Sequence, residues 1–173
     1  AKMRALEHLG DLKAINAFAD EVKAVQADGR IQLDPEANWI LAIEARANKR
    51  IGDCMKLLQV YERALAESTP TTRVVEHRID VLEERVQIGK AQNWGPQFFE
   101  STNGMLARLD PNNPTTYVAL FEVCTRLKRG GEALAWCRRS VELAPSHVPS
   151  RVNLAQGLLS SGDLDGARAQ IAE

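Results

Sequence analysis

Hydrophobic residues recur every three to four positions along almost the whole chain. This spacing places them on one face of an α-helix. Clusters of Gly, Pro, Asp, Asn and Ser interrupt the pattern, and no alternating run predicts a strand. The interruptions predict ten helices, approximately over residues 1–9, 12–27, 35–50, 54–67, 72–91, 97–109, 115–128, 132–143, 148–160 and 164–173. Because short turns place consecutive helices antiparallel, we expect an all-α protein of five helical hairpins.

The hairpins repeat along the chain. Pro111 and Pro145 each end a similar phrase, Leu-Asp-Pro and Leu-Ala-Pro. Their separation is about 34 residues, and a fixed period of this length is typical of stacked helical repeats. The same shift maps Leu120 onto Leu154, Ala133 onto Ala167, Cys137 onto Ile171 and Lys128 onto Gly162.

These residues resemble the tetratricopeptide repeat, a helix-turn-helix unit of about 34 residues. Residues 153–155 and 161–167 match its Leu-Ala pair, its turn and the small residue of its second helix, and Tyr117, Ala133 and Pro145 supply the pattern one repeat earlier. The resemblance implies a right-handed α-solenoid of about five repeats in a single domain, 1–173. The expected repeats are 1–34 (partial), 35–70, 71–111 (irregular), 112–145 and 146–173 (partial).

The middle repeat departs from the pattern. The unit that runs from Pro70 to Pro111 is longer than the other repeats. Gly95-Pro96 replaces the usual Gly-Asp, and Phe98-Phe99 stands where the repeat normally has a small residue. A small residue lets the two helices approach closely, so we expect this aromatic pair to push them apart and to change the local curvature.

The resemblance also implies a concave groove, lined by the first helix of each repeat, that binds a protein or peptide. The faces not used for packing, counted from Trp39 and Tyr117, then carry specificity. Glu44, Asp80, Glu122 and Gln156 predict a mostly acidic surface that favours a partner segment with apolar and basic residues. The predicted partner-binding residues are Ile40, Glu44, Asp80, Val118, Glu122, Val152, Asn153 and Gln156.

A simpler interpretation of the acidic residues stays open. Acids on exposed helix faces are usually solvated, and Glu122 with Arg126, or Glu44 with Asn48, has the spacing of neighbours within one helix. Chaperone-adaptor members of the family hold a terminal carboxylate with Lys, Arg and Asn. Only Asn153 suits that role here, so we expect no carboxylate clamp.

Composition and motifs exclude several other functions. The chain has 173 residues, of which 45% are hydrophobic and 26% charged, and 22 Lys and Arg against 23 Asp and Glu give a net charge of −1. This balance predicts no binding to nucleic acid, and the short apolar runs predict no membrane span. No phosphate-binding or nucleophile motif occurs, so we expect neither an enzyme nor a cofactor.

Cysteine, histidine and tryptophan positions indicate structural roles. Three widely spaced cysteines predict buried apolar thiols rather than disulfides, and three separated histidines predict no metal site. Trp39 is expected in the core and Trp94 at an exposed turn, whereas Trp136 fits either place. The cysteines are Cys54, Cys124 and Cys137, and the histidines are His8, His77 and His147.

Three functions remain in view. The first is a non-catalytic, cytoplasmic protein-interaction module. The second is an arm of a larger enzyme such as a glycosyltransferase, because both ends of the sequence fall inside a repeat. The third is self-assembly into a homo-oligomer through the last helix, whose Ala167 and Ile171 would form an uncapped apolar face.

Overall fold

The structure is a computed structural model that describes residue 6, residues 9–28 and residues 36–171. Within these residues it contains nine α-helices and no strand, which confirms the predicted all-α class. The helices are α1 (Leu12–Asp28), α2 (Glu36–Ala47), α3 (Ile51–Glu67), α4 (Thr72–Ala91), α5 (Pro96–Leu109), α6 (Pro114–Arg126), α7 (Gly130–Leu143), α8 (Val148–Ser161) and α9 (Leu164–Ile171). The further helix predicted over residues 1–9 lies almost entirely outside the described residues.

The chain divides into two compact units, Ala1–Val81 and Leu82–Glu173. In the first unit, α2 packs against both α1 and α3, around a core that contains Ile15 and Leu41. In the second unit, each helix from α5 to α9 packs against the next, and α6 also contacts α8. The core of this unit holds residues from four successive helices, namely Phe121, Cys124, Ala133, Cys137, Leu154, Ala155, Leu158 and Ala167. The predicted single domain and repeat limits stay predictions.

A left-handed residue lies two or three residues before the start of α1, α3, α5, α7 and α9. These residues are Gly10, Lys49, Asn93, Lys128 and Gly162, with φ angles of 67°, 60°, 53°, 60° and 86°. In every case the N–H of the following residue donates to the carbonyl five residues before it, at 2.8–3.1 Å. This bond pattern is the Schellman motif, which satisfies carbonyls that the helix end leaves unpaired. The same turn therefore recurs at each hairpin, with lysine or asparagine replacing glycine at three positions.

These turns correct two helix breaks predicted from glycine. The gaps between the predicted helices place breaks at residues 51–53 and 129–131, but Gly52 and Gly130 lie in the first turns of α3 and α7. The breaks fall two or three residues earlier, at Lys49 and Lys128. Glycine is favoured at such positions but not required, so its place in the sequence misled the prediction.

We expect Lys49→Gly to stabilise the chain by about 1 kcal/mol. The left-handed conformation costs a residue with a side chain about 1–2 kcal/mol, and the extra backbone entropy of glycine offsets part of that gain. Urea unfolding followed by circular dichroism measures the change. The matched control is Lys56→Gly in the middle of α3, which should cost about 1 kcal/mol. A loss of stability in both variants would contradict the argument.

The turns also give a common register for the contacts inside each hairpin. The residue four before the left-handed position and the residue five after it are buried in most hairpins, as Leu158 and Ala167 are. In the middle repeat these two positions hold Gly89 and Phe98, which reverses the large-then-small order of the last hairpin. A Cβ atom on Gly89 would lie 2.6 Å from Phe98 Cε1 and 3.2 Å from Phe99 Cε1. The aromatic pair is thus accommodated by the missing side chain of Gly89.

The other aromatic and sulfur-containing residues mostly lie where the sequence predicts. Trp94 is an exception, because it is half-buried and packs edge-on against Phe98 at 4.6 Å rather than lying exposed. Trp39 packs against the core of the first unit. Trp136 is half-buried and stacks on Tyr117 at 5.7 Å. The three cysteines are buried free thiols, which confirms that prediction.

The last helix does not present the uncapped apolar face of Ala167 and Ile171 that the sequence predicts. Ala167 is buried and belongs to the core of the second unit. Ile171 is 71% exposed and Leu164 is 58% exposed. The large apolar side chains that α9 exposes are therefore Leu164 and Ile171, and Ala167 is not part of that surface.

Candidate functional site

Helix α6 provides one wall of the candidate site. It begins at Pro114, and the side chain of Asn113 accepts a hydrogen bond from the Thr115 N–H at 3.1 Å, which caps the helix. Four residues at helical spacing are buried and form its packing face: Tyr117, Leu120, Phe121 and Cys124. Their burial leaves Glu122, Thr125 and Arg126 exposed on the opposite side.

An open groove of about 890 Å³ lies between α6, the start of α7 and α8. We call it the α6–α8 groove. Its floor is apolar and includes Phe121, Ala133 and Leu134. Gly157 completes the floor, and a Cβ atom there would lie 3.2 Å from Leu134 Cδ1. The remaining lining residues are Glu122, Thr125, Arg126, Lys128, Gly130, Gly131, Asn153, Gln156, Ser160 and Ser161. The size and lining are those of a binding cleft.

Five polar side chains on the rim of the groove have no partner within the described part of the chain. Among the described residues, Glu122, Arg126 and Lys128 form no ion pair or side-chain hydrogen bond. The spacing of Glu122 and Arg126 therefore does not produce the intrahelical pair that remained possible from the sequence. The side-chain amides of Asn153 and Gln156 are likewise unpaired within the described part of the chain. These five side chains are available to a partner.

The structure brings three of the eight predicted partner-binding residues together in this groove. Glu122, Asn153 and Gln156 line it, on the facing helices α6 and α8. Val118 is half-buried and Val152 is 55% exposed, but neither lines the groove. Their roles in binding stay predictions.

Two basic residues that were not among the predicted partner-binding residues also line the groove. Arg126 and Lys128 lie on its rim, beside the turn that separates α6 from α7. The repeat shift that maps Lys128 onto Gly162 marks this turn in the sequence. It does not show that the turn borders an open groove, which depends on how α8 packs.

The other three predicted residues lie in the first unit and are engaged there. Ile40 is half-buried against the core of that unit. Asp80 is half-buried and has an interaction partner of its own. Glu44, which the sequence analysis placed on the open face, is instead 6% exposed.

The Glu44 carboxylate is held by neighbouring residues. Arg50 donates to its Oε2 atom at 2.5 Å, and Asn48 donates to its Oε1 atom at 3.0 Å. Lys23 Nζ lies 3.8 Å from Oε1. The hydrogen bond with Glu44 raises the pKa of Arg50. The contact with Asn48 is the intrahelical alternative considered from the sequence, so Glu44 offers no free carboxylate to a partner.

Glu44 was assigned to the wrong face because two ways of aligning its repeat with the repeat of α6 differ by one residue. Aligning Trp39 with Tyr117 makes Glu44 equivalent to Glu122. Counting from the left-handed residues, Glu44 lies five before Lys49, and the residue five before Lys128 is Val123. Val123 is buried, as Glu44 is.

A second cavity of about 530 Å³ lies between α5, α6 and α7. Its walls include the stacked rings of Tyr117 and Trp136. Glu100 also lines this cavity and pairs with Arg129. None of the predicted partner-binding residues lines it.

No group of three His, Cys, Asp or Glu side chains among the described residues is arranged to hold a metal ion. His77 and His147 instead contact Tyr61 and Ser150, whereas His8 lies outside the described residues. None of the described helices is long and apolar enough to cross a bilayer.

Comparison with known proteins relates the fold to solved structures. No protein-family profile and no curated protein sequence matches the chain. A structure of MamA from AMB-1 is similar, with 18% identity and a TM-score of 0.59 over 99% of this chain and 88% of the other. A second MamA structure has 15% identity and a TM-score of 0.61, over 98% and 90%. MamA residues 41–end from Desulfovibrio magneticus RS-1 has 14% identity and a TM-score of 0.50, over 99% and 92%.

MamA is a tetratricopeptide-like protein. The chain has the tetratricopeptide-repeat fold. The resemblance found in the sequence is therefore confirmed at the level of the fold. Within this fold, the α6–α8 groove lies between the first helices of two successive hairpins, and the second helix of the earlier hairpin contributes to its floor.

Proposed function

We propose that the chain is a non-catalytic protein-interaction module that binds a segment of a partner protein in the α6–α8 groove. The observation that carries the proposal is the groove itself, about 890 Å³ in volume, with an apolar floor and five unpaired polar side chains on its rim. An apolar floor provides affinity through burial, and polar groups without internal partners provide specificity.

The chemistry of the lining supports binding rather than catalysis. Ser160 and Ser161 line the groove, but no histidine or cysteine does. The Ser161 hydroxyl donates to the Leu158 carbonyl, and the Ser160 hydroxyl donates to the Gln156 carbonyl, both at 2.9 Å. A nucleophilic serine donates its proton to a base, whereas both of these hydroxyls donate to backbone carbonyls.

The repeat fold supports the same proposal. Hairpins that stack only on their neighbours leave a continuous surface of first helices, and such arrays use that surface for binding. The alternatives from the sequence, an enzyme arm and a self-assembling scaffold, stay predictions. Self-assembly through α9 would use its exposed side chains Leu164 and Ile171. The mass of the protein in solution, measured at several concentrations, tests this alternative.

A bulky residue on the rim tests the groove. Random peptides displayed on phage would be selected against the immobilised chain, and the affinity of enriched peptides measured by fluorescence anisotropy. Thr125→Trp fills the groove from an exposed position, so we expect roughly a tenfold or greater loss of affinity, about 1.4 kcal/mol. The matched control is Ala135→Trp, at an exposed position of α7 outside the groove. Equal affinity for Thr125→Trp and the unmodified chain would place binding elsewhere, and failure to select any peptide would contradict the proposed module.

A further inference from the structure

We infer that the partner segment carries an ordered pair of opposite charges, a basic residue facing Glu122 and an acidic residue facing Arg126 and Lys128, with an aliphatic residue on the groove floor. This inference rests on the proposed function of the α6–α8 groove. It adds an acidic residue to the partner segment with apolar and basic residues that the sequence predicts.

The rim of the groove carries charges of both signs. The groove is lined by one acid, Glu122, and two bases, Arg126 and Lys128, all exposed and without an internal partner in the described chain. A segment with only basic residues would complement Glu122 but place like charges near the two cations. Unfavourable juxtaposition of this kind selects against wrong partners, so the mixed rim favours a segment that carries both charges.

The path of α6 determines the order and spacing of those charges. Glu122 and Arg126 are four residues apart on one helix, which corresponds to about 6 Å along its axis. An extended partner spans this distance with about two residues, and a helical partner with about four. Lys128 follows Arg126 at the turn, so the positive end of the rim lies beyond the C-terminal end of α6.

The apolar floor of the groove accounts for the aliphatic residue of the partner. Phe121 and Leu134 present apolar surface, and Gly157 leaves space above them that a side chain would occupy. An aliphatic side chain of the partner can bury its surface there, between the charged contacts. The amides of Asn153 and Gln156 line this region from α8 and can pair with the partner backbone.

The probe for this inference is the set of peptides enriched by selection on the unmodified chain. We expect enriched sequences to combine a basic, an aliphatic and an acidic residue, with the charges two or four positions apart. The double variant Arg126→Glu with Lys128→Glu should bind these peptides with at least tenfold lower affinity. The control is Lys90→Glu with Arg138→Glu, which changes the net charge equally at exposed positions outside the groove.

Charge inversion supplies a second, independent readout. A chain with Glu122→Lys, Arg126→Glu and Lys128→Glu should regain affinity for peptides whose two charges have been exchanged, at least tenfold over the original peptides. Enriched peptides without an acidic residue, equal losses in the control variant, or no recovery on inversion would overturn the inference. If one of these results is found but Thr125→Trp still loses affinity, the proposal that the partner binds in the α6–α8 groove is supported and only the charge pattern is wrong. If no peptide is selected at all, the proposed function is contradicted as well.

Discussion

Gly89→Leu is expected to lower the free energy of unfolding by about 2 kcal/mol or more, because it overpacks a filled space. A Cβ atom at this position would lie 2.6 Å from Phe98 Cε1, and the Phe98 ring cannot move freely because Trp94 packs against it at 4.6 Å. Overpacking of this kind typically costs about 1–3 kcal/mol or more, which exceeds the gain of about 1 kcal/mol from replacing a glycine inside a helix. Urea unfolding monitored by circular dichroism gives the value.

A second substitution tests the reason. In the last hairpin the equivalent positions hold Leu158 and Ala167, both buried. The double variant Gly89→Leu with Phe98→Ala restores that arrangement, so it should be more stable than Gly89→Leu alone, even though Phe98→Ala alone removes packed surface. The matched control is Gly104→Leu, a glycine in α5 with open space around it, which should cause no comparable loss. Additive losses in the double variant would show that Gly89 and Phe98 do not share one packing space.

The stability that Cys137 contributes is expected to fall by about 2 kcal/mol between pH 9 and pH 11, since each unit of pKa difference corresponds to about 1.4 kcal/mol. Burial raises the pKa of the Cys137 thiol from its ordinary 9.0 to about 12. Below pH 9 the thiol is protonated in both the folded and the unfolded chain, so its contribution is fully present. Between pH 9 and pH 12 only the unfolded chain loses the proton, and unfolding becomes more favourable as the pH rises.

Comparison with Cys137→Ala isolates this effect from the other groups that titrate at high pH. We expect the stability advantage of the unmodified chain over Cys137→Ala, measured by urea unfolding under reducing conditions, to narrow over this range. A constant difference would show that the thiol ionises normally and is not desolvated. Gln59→Gly, at an exposed position of α3 that carries no titrating group, should show no pH-dependent change in its difference from the unmodified chain.

Several features of the fold could be predicted from the sequence because they depend on near neighbours along the chain. The packing face of α6 follows from the spacing of Tyr117, Leu120 and Cys124, since residues three and four apart share one side of a helix. The recurrence of hairpins follows from the shift that relates Ala133 to Ala167. Buried thiols were also predictable, because the isolated cysteines have no partner at a spacing that suits a metal or disulfide.

The candidate site was less predictable, because its availability depends on residues distant in the sequence. Glu44 has the helical position of an exposed acid when counted from Trp39. Its burial depends on the neighbouring α1, where Asn16 accepts a hydrogen bond from Asn48 at 2.7 Å. Glu122 has no such neighbour among the described residues and remains open.

The all-α class, the helical hairpins and the tetratricopeptide-like repeat can be predicted from the sequence, since periodicity and turn residues are local properties. Three features depend on the folded structure: lysine occupies left-handed turns, Gly89 accommodates Phe98, and two basic residues join Glu122 on one rim. Each of these depends on which side chains meet after the helices pack. A local pattern can specify the face of a helix, but the neighbour that covers that face is specified by packing across the fold.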